Sequence, residues 1–114
     1  MKEPAQAKRR GLGSEVAKVD DLVQYQIGST VSREIVKKPT GTVTAFAFDA
    51  EQGLSEHTAQ FDALVHVLEG EAEVSIAGRP HHLHSGQMIL MPGGQPHAIK
   101  ALKPFKMLLT MIRS

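Results

Sequence analysis

The stretch Glu71-Ala72-Glu73-Val74-Ser75-Ile76-Ala77-Gly78-Arg79-Pro80-His81-His82-Leu83-His84-Ser85-Gly86-Gln87-Met88-Ile89-Leu90-Met91 decides the fold class. Its first part, Glu71–Ala77, alternates, with Ala72, Val74 and Ile76 on one face and Glu71, Glu73 and Ser75 on the other. Period two marks a strand buried on one side only. Gly78-Arg79-Pro80 reads as a turn, His81–His84 as a short strand, Ser85-Gly86 as a turn and Gln87–Met91 as a strand. The same pattern continues outward. Upstream, Val31–Val36 stops at Lys37-Lys38-Pro39-Thr40-Gly41, and Thr42–Phe48 has the Thr, Val and Phe content of a strand. Asp49–Glu56, containing Gly53, reads as a loop, and Gly70 closes the apolar run Ala63–Leu68. Downstream, the loop Pro92–Pro96 separates His97–Ala101 from a final strand, Phe105–Ile112. Short strands between Gly/Pro turns, with no long amphipathic helix, predict an all-β protein, a single antiparallel jelly-roll or barrel.

A chain of 114 residues makes one domain. Residues 1–30 are expected to form an irregular arm and residues 31–114 the barrel. Within the arm, Asp20-Asp21 before Leu22 and Val23 predicts a single capped helical turn. Lys2, Lys8, Arg9, Arg10 and Lys18 suit either an arm for an anionic partner or a solvated terminus, and their spread favours the second. With 13 basic and 12 acidic residues the net charge is +1, so a nucleic-acid partner is not expected. No apolar run approaches the roughly 18 residues of a membrane span. The first residues carry no apolar stretch, predicting no secretory leader. The absence of Cys excludes disulfides, thiolate metal sites and cysteine nucleophiles, and the expected compartment is the cytoplasm. Gly93-Gly94 precedes a strand rather than a helix, so it is no phosphate loop. Ser55 and Ser85 lack a nucleophile-elbow context, and one Tyr with no Trp offers little base stacking.

Six histidines carry most of the chemical potential. In a strand, His82 and His84 share one face while His81 joins Leu83 on the other. The i, i+2 pair suits a metal or a solvated outer face, and Leu83 as the inward residue favours solvation. His57 and His97 each stand where a loop meets a strand. Met88, Met91, Met107 and Met111 suit a pliable pocket wall or ordinary core filling, the latter favoured. Asp62 reads as a solvated rim residue before a strand.

Two stretches resemble the cupin superfamily of small jelly-roll barrels. Gly86, five residues, Pro92, one residue, Gly94, two residues and His97 match the family's second motif, with Ala101 in place of its Asn. The first motif fits in part. Gly70 sets its register, His57 takes the first His, and Ala59 and Ala63 stand where the second His and the Glu would be. The early Gly has no counterpart at Glu51, Gly53 lying nearby. The resemblance covers about residues 31–112. It implies a fold shared by dioxygenases, isomerases, epimerases, storage proteins and sugar sensors, and fold alone gives no reaction.

In metal-binding cupins three His and one Glu hold a divalent ion such as Mn, Fe, Ni or Zn. Here the resemblance leaves His57 and His97 as metal ligands, with any third donor sought among Gln60, Asp62, His66 and Gln95. His66 lies three residues past Ala63, so it projects to the opposite face of a regular strand unless a bulge intervenes. Without metal, His57 and His97 line the barrel mouth as hydrogen-bonding groups, or one of them acts as a general base. Two functions therefore stand open. One is a small-molecule-binding barrel with an incomplete or absent metal site, its ligand held by His57, Gln60, His66, Gln95 and His97. The other is a metal-dependent enzyme of dioxygenase or isomerase type. The expected ligand position is the mouth bounded by His57, His97, Gln60 and the Pro92–Pro96 loop, and its imidazoles favour a neutral or anionic guest such as a small carboxylate or sugar. A homodimer is also expected, because both faces of Ala63–Leu68 and Phe105–Ile112 are largely apolar. Either a second copy or the N-terminal segment must cover the outer one.

Overall fold

In a computed structural model residues 13–113 are described. After a single 3-10 turn at Val19–Asp21 the chain forms strands β1 (Thr30–Lys38), β2 (Gly41–Phe48), β3 (Gly53–Thr58), β4 (Asp62–Glu69), β5 (Glu71–Ile76), β6 (Arg79–His84), β7 (Met88–Met91), β8 (Pro96–Ala101) and β9 (Phe105–Ile112). They pair antiparallel into two sheets, ordered β1-β2-β9-β4-β7 and β3-β8-β5-β6. This is the jelly-roll that the strand spacing predicts.

The sharpest joint is at Gly70. β4 lies in the first sheet and β5 in the second, with one residue between them. That residue has φ +84°, and a Cβ there would sit 2.0 Å from the carbonyl oxygen of Pro104. Only glycine combines a left-handed backbone with so close an approach.

The core fills the space between the sheets. Phe48 and Phe105 are cross-strand partners with rings stacked 4.8 Å apart, and Phe46 extends the stack at 5.5 Å. They plug one end. Around them pack Val65, Val67, Val74, Leu83, Ile99 and Met107. At the other end the inward positions belong to Ala63, Met91 and Met111, paired with one another across β4, β7 and β9. Met91 and Met107 are core, whereas Met88 faces outward at 61% exposure.

Three local expectations are revised. β3 was expected to be loop, but it is a strand at the edge of its sheet. Five of its six residues are exposed and a register shift falls between Leu54 and His57, so no alternation shows. The hairpin turn between β5 and β6 is Ala77-Gly78, both at positive φ (51° and 79°), rather than Gly78-Arg79-Pro80. This two-residue turn matches the strand twist and starts β6 at Arg79. Pro80 is tolerated because β6 is also an edge strand. Finally, Asp20 and Asp21 lie within the 3-10 turn and give it no side-chain cap.

The outer face of β2 and β9 is covered by the chain's own N-terminal segment. Leu22 and Val23 are buried against Ala45, Ala47 and Leu108. Lys106, only 5% exposed, donates from Nζ to the carbonyl oxygen of Asp20 at 2.6 Å and sits 5.1 Å from the Tyr25 ring. Arg33 donates to the carbonyl of Leu22, and the Tyr25 hydroxyl donates to Glu69 Oε2 at 2.6 Å. Burial, then the adjacent carboxylate, raises the Tyr25 pKa, so the phenol stays a donor. The part of that face over β4 and β7 stays open. Lys2, Lys8, Arg9 and Arg10 lie outside the described residues.

Replacing Gly70 by Ala is expected to lower the unfolding free energy by about 3 kcal/mol, from the left-handed backbone and the clash with Pro104. Urea denaturation checks this; a loss below about 1 kcal/mol would mean that the corner relaxes easily.

Candidate functional site at the open end of the barrel

Three connections meet at the end opposite the Phe stack. The β7–β8 loop is tied to the β3–β4 loop by the Gly94 amide, which donates to the Ala59 carbonyl at 2.7 Å. The Gly93 amide donates to Asp62 Oδ1 at 2.9 Å. Gly93 must lack a side chain, since a Cβ would approach the Gln60 carbonyl oxygen to 2.4 Å. The Ala77 amide donates to the Pro96 carbonyl at 2.8 Å and brings in the β5–β6 turn. Asp62, expected to be a plain rim residue, is exposed and also serves as this loop tether.

Within this frame His57 of β3 and His97 of β8 are direct cross-strand partners. Their ring centroids lie 4.5 Å apart with planes at 71°, an edge-to-face contact. His97 is 4% exposed, while His57 is open to solvent. Nδ1 of His57 lies 3.1 Å from the Ser55 carbonyl, and Nδ1 of His97 lies 3.2 Å from the Gln95 carbonyl. A carbonyl only accepts, so each Nδ1 carries the hydrogen and each neutral ring keeps its Nε2 lone pair for another partner. Burial, and then the neighbouring His57, push the His97 pKa below the ordinary histidine value. At neutral pH His97 is therefore an uncharged acceptor.

The other expected site residues divide around this pair. Gln60 is exposed in the β3–β4 loop, and Gln95 anchors His97 through its carbonyl while its side chain is exposed. His66 lies on the outer face of β4 between Leu108 and Met88, on the far side of the sheet from His57 and His97. Ala63 points inward at 2% exposure, so where the family has a carboxylate the barrel holds a methyl group. Ala59 contributes a loop carbonyl.

Two imidazoles are all this end offers a metal. Among the described residues no group of three or more His, Cys, Asp or Glu is placed to hold an ion. The residues present do not fit a site of three His and one Glu. On the outer face of the second sheet, His82 Nε2 contacts Glu71 Oε1 at 3.0 Å, and Lys103 binds the other oxygen at 2.9 Å. Lys103, then His82, hold the Glu71 carboxyl below its usual range. The His82 and His84 rings lie 6.0 Å apart on that exposed face.

At the same end a cavity of about 490 Å³, lined by neither His57 nor His97, opens between the edge strands β6 and β7. Ile76, which pairs with His97, and Ile89 form its apolar floor; Arg79, His81 and Gln95 supply its polar wall. Arg79 escaped the sequence reading because it was taken for turn. The signal was the parity of Leu83, which, carried back two and four residues, puts His81 and Arg79 on the inward face. A smaller hollow of about 230 Å³ lies by the β1–β2 hairpin, around Thr42 and Met111, and has no imidazole.

A nine-stranded double sheet with loops and a histidine pair gathered at one open end defines a cupin-type barrel. Residues 45–112 match the cupin domain family, and the chain belongs to it. It is 32% identical to a conserved protein of unknown function from Streptococcus pyogenes, over 89% of both chains, with a TM-score of 0.85. It is 36% identical to a cupin 2 conserved barrel domain protein from Leptotrichia buccalis, over 82% of this chain and 45% of that one, with a TM-score of 0.79. A cupin superfamily protein from Desulfitobacterium hafniense shares the fold at 20% identity, over 92% of this chain and 96% of that one, with a TM-score of 0.86. No curated protein matches the chain. Among the described residues no helix is long and apolar enough to cross a membrane.

The depressed pKa gives a pH dependence with a definite sign. The fold favours neutral His97, so on acidification the unfolded chain takes up this proton first. The contribution of this residue is fully present above the unfolded value of about 6.5 and is lost as pH falls through the lower folded value. The stability of His97→Gln is therefore expected to fall less steeply than that of the parent below about pH 6.5. Parallel denaturation curves in which the two slopes coincide would remove this assignment.

Proposed function

We propose that this cupin domain binds a small molecule at its open end, where Nε2 of His57 and of His97 accepts hydrogen bonds from the guest's polar groups. The observation that carries the reading is the edge-to-face imidazole pair, one ring buried and one exposed, with both Nδ1 atoms committed to the backbone. Ligand sites commonly combine apolar walls with a few converging polar groups, and the cavity at the same end has that composition. Ala59 and Ala63 fit the reading, since small side chains leave room near the pair. Titration with a panel of small carboxylic acids and sugars, followed by amide NMR, is expected to shift resonances around His57 and His97. His57→Ala and His97→Ala should each weaken that binding by about tenfold. Affinities unchanged in both variants would discard the site. Elemental analysis of the purified protein runs alongside. Stoichiometric divalent metal, lost in both variants, would replace the binding reading with metal-dependent chemistry.

The partner we propose for the open outer face is a second copy. Leu90 at 49% exposure and Met88 at 61% lie on β7, whose other edge pairs with no strand among the described residues, and Leu64 continues the apolar stripe on β4. Covering such a stripe across a two-fold axis is the simplest way to remove it from water. Light scattering at micromolar concentration is expected to give twice the monomer mass, and Leu90→Glu to halve it. A parent protein that runs as a monomer would end this proposal.

A further inference from the structure

The inward face of β6 changes character along its length. Leu83 is buried in the core, His81 pairs with Val74 one step further out, and Arg79 pairs with Ile76 beside the turn. Leu83 keeps the apolar character usual at an inward position, whereas Arg79 and His81, on the same parity, are exposed where the two sheets part. Neither Arg79 nor His81 makes an ion pair with a carboxylate among the described residues; Glu71 is taken by His82 and Lys103, and Glu51 by Lys100. Both side chains line the 490 Å³ cavity together with Ile89 of β7 and Pro92 of the β7–β8 loop. Gln95, on the same wall, adds an amide that both donates and accepts. The floor is apolar, and no Asp or Glu lines the cavity.

From this arrangement we propose that the guest is a small carboxylate with a compact apolar body. The carboxylate is received by the Arg79 guanidinium, assisted by His81, and the body lies on Ile76 and Ile89. A planar guanidinium matches a carboxylate with two parallel hydrogen bonds, which an uncharged sugar cannot exploit. The proposal rests on the open end being the ligand site and narrows its guest from the wider class of small acids and sugars. The two rigid ties at this end, Ala77 to Pro96 and Gly94 to Ala59, fix the cavity wall before a guest arrives.

The test uses the full chain with benzoate and cyclohexanecarboxylate as probes, against the matching primary carboxamides, by calorimetry and amide NMR. The acids are expected to bind at millimolar concentrations and to shift Arg79, His81 and Gln95, with the amides about tenfold weaker. Arg79→Gln should reduce acid affinity about tenfold and leave amide affinity unchanged, while Arg79→Lys recovers part of the loss. Arg79 is exposed, so its substitution is expected to keep the thermal midpoint, which confirms that the variant is folded. Acids and amides bound equally, acid binding indifferent to Arg79→Gln, or no shift with either acid would each overturn the proposal. If His57→Ala and His97→Ala weaken a sugar while Arg79→Gln does nothing to the acids, the open end survives as a site and only the carboxylate is lost. The reverse result retains the carboxylate and removes the imidazole pair from the site.

Discussion

The molecule is organised by the single-residue passage between its two sheets. β4 is flanked by β9 and β7 in one sheet, and β5 by β8 and β6 in the other, so the corner joins an interior strand of each. With one residue between them, neither strand can slide in register without pulling the other, and a slip of one would turn every core side chain outward. Val65 and Val67 are thereby set across the core from Ala72 and Val74. The same corner fixes the far end. Counting along β4 back to Ala63 and along β5 forward to Ile76 brings both to the open mouth, where Ile76 is the neighbour of His97. The backbone of Glu71 also accepts from Leu102 and Lys103, which closes the β8–β9 connection over the corner.

The mouth works chemically because its parts are held from outside it. Backbone carbonyls set the ring tautomers, loop amides set the distance between connections, and the side chains are left for a guest. Burying His97 beside a second imidazole disfavours charge on it, while Arg79 brings a guanidinium to the same end. A neutral acceptor, His97, and a cation, Arg79, thus flank Ile76 on either side. That separation of roles suits a molecule with one anionic end and, beyond its apolar body, a hydroxyl that donates to an imidazole.

Much of this was legible from residue order, for identifiable reasons. Strands with one wet face, such as Glu71–Ile76, announce themselves by alternation, and Phe105–Ile112 by a run of apolar and β-branched residues broken only by Lys106. Gly70 and Gly93 were legible as punctuation, although the reason each must be glycine is a contact with a distant carbonyl that no local reading contains. β3 was illegible because an edge strand with a register shift and mostly exposed side chains has no period. The histidine at its end was placed by resemblance to a family motif rather than by pattern. The start of β6 was missed because Ala rather than Asn or Asp stands before Gly78, which hides a two-residue turn. The outer apolar face was legible as needing cover. Its division, partly under residues 19–25 and partly open over β4 and β7, depends on where the arm lands, which only long-range contacts decide.

The arm's attachment has a consequence for what evolution or engineering can change there. Lys106 and Arg33 both grip main-chain carbonyls, those of Asp20 and Leu22, and every residue type presents the same carbonyl. The identities of Asp20 and Asp21 are therefore almost invisible to the barrel, whereas the spacing from those carbonyls to the inserted Leu22 and Val23 and on to Tyr25 is measured residue by residue. The segment acts as a ruler rather than a text: it tolerates rewriting at many positions, but a single insertion or deletion between residues 20 and 25 would throw each grip out of step at once.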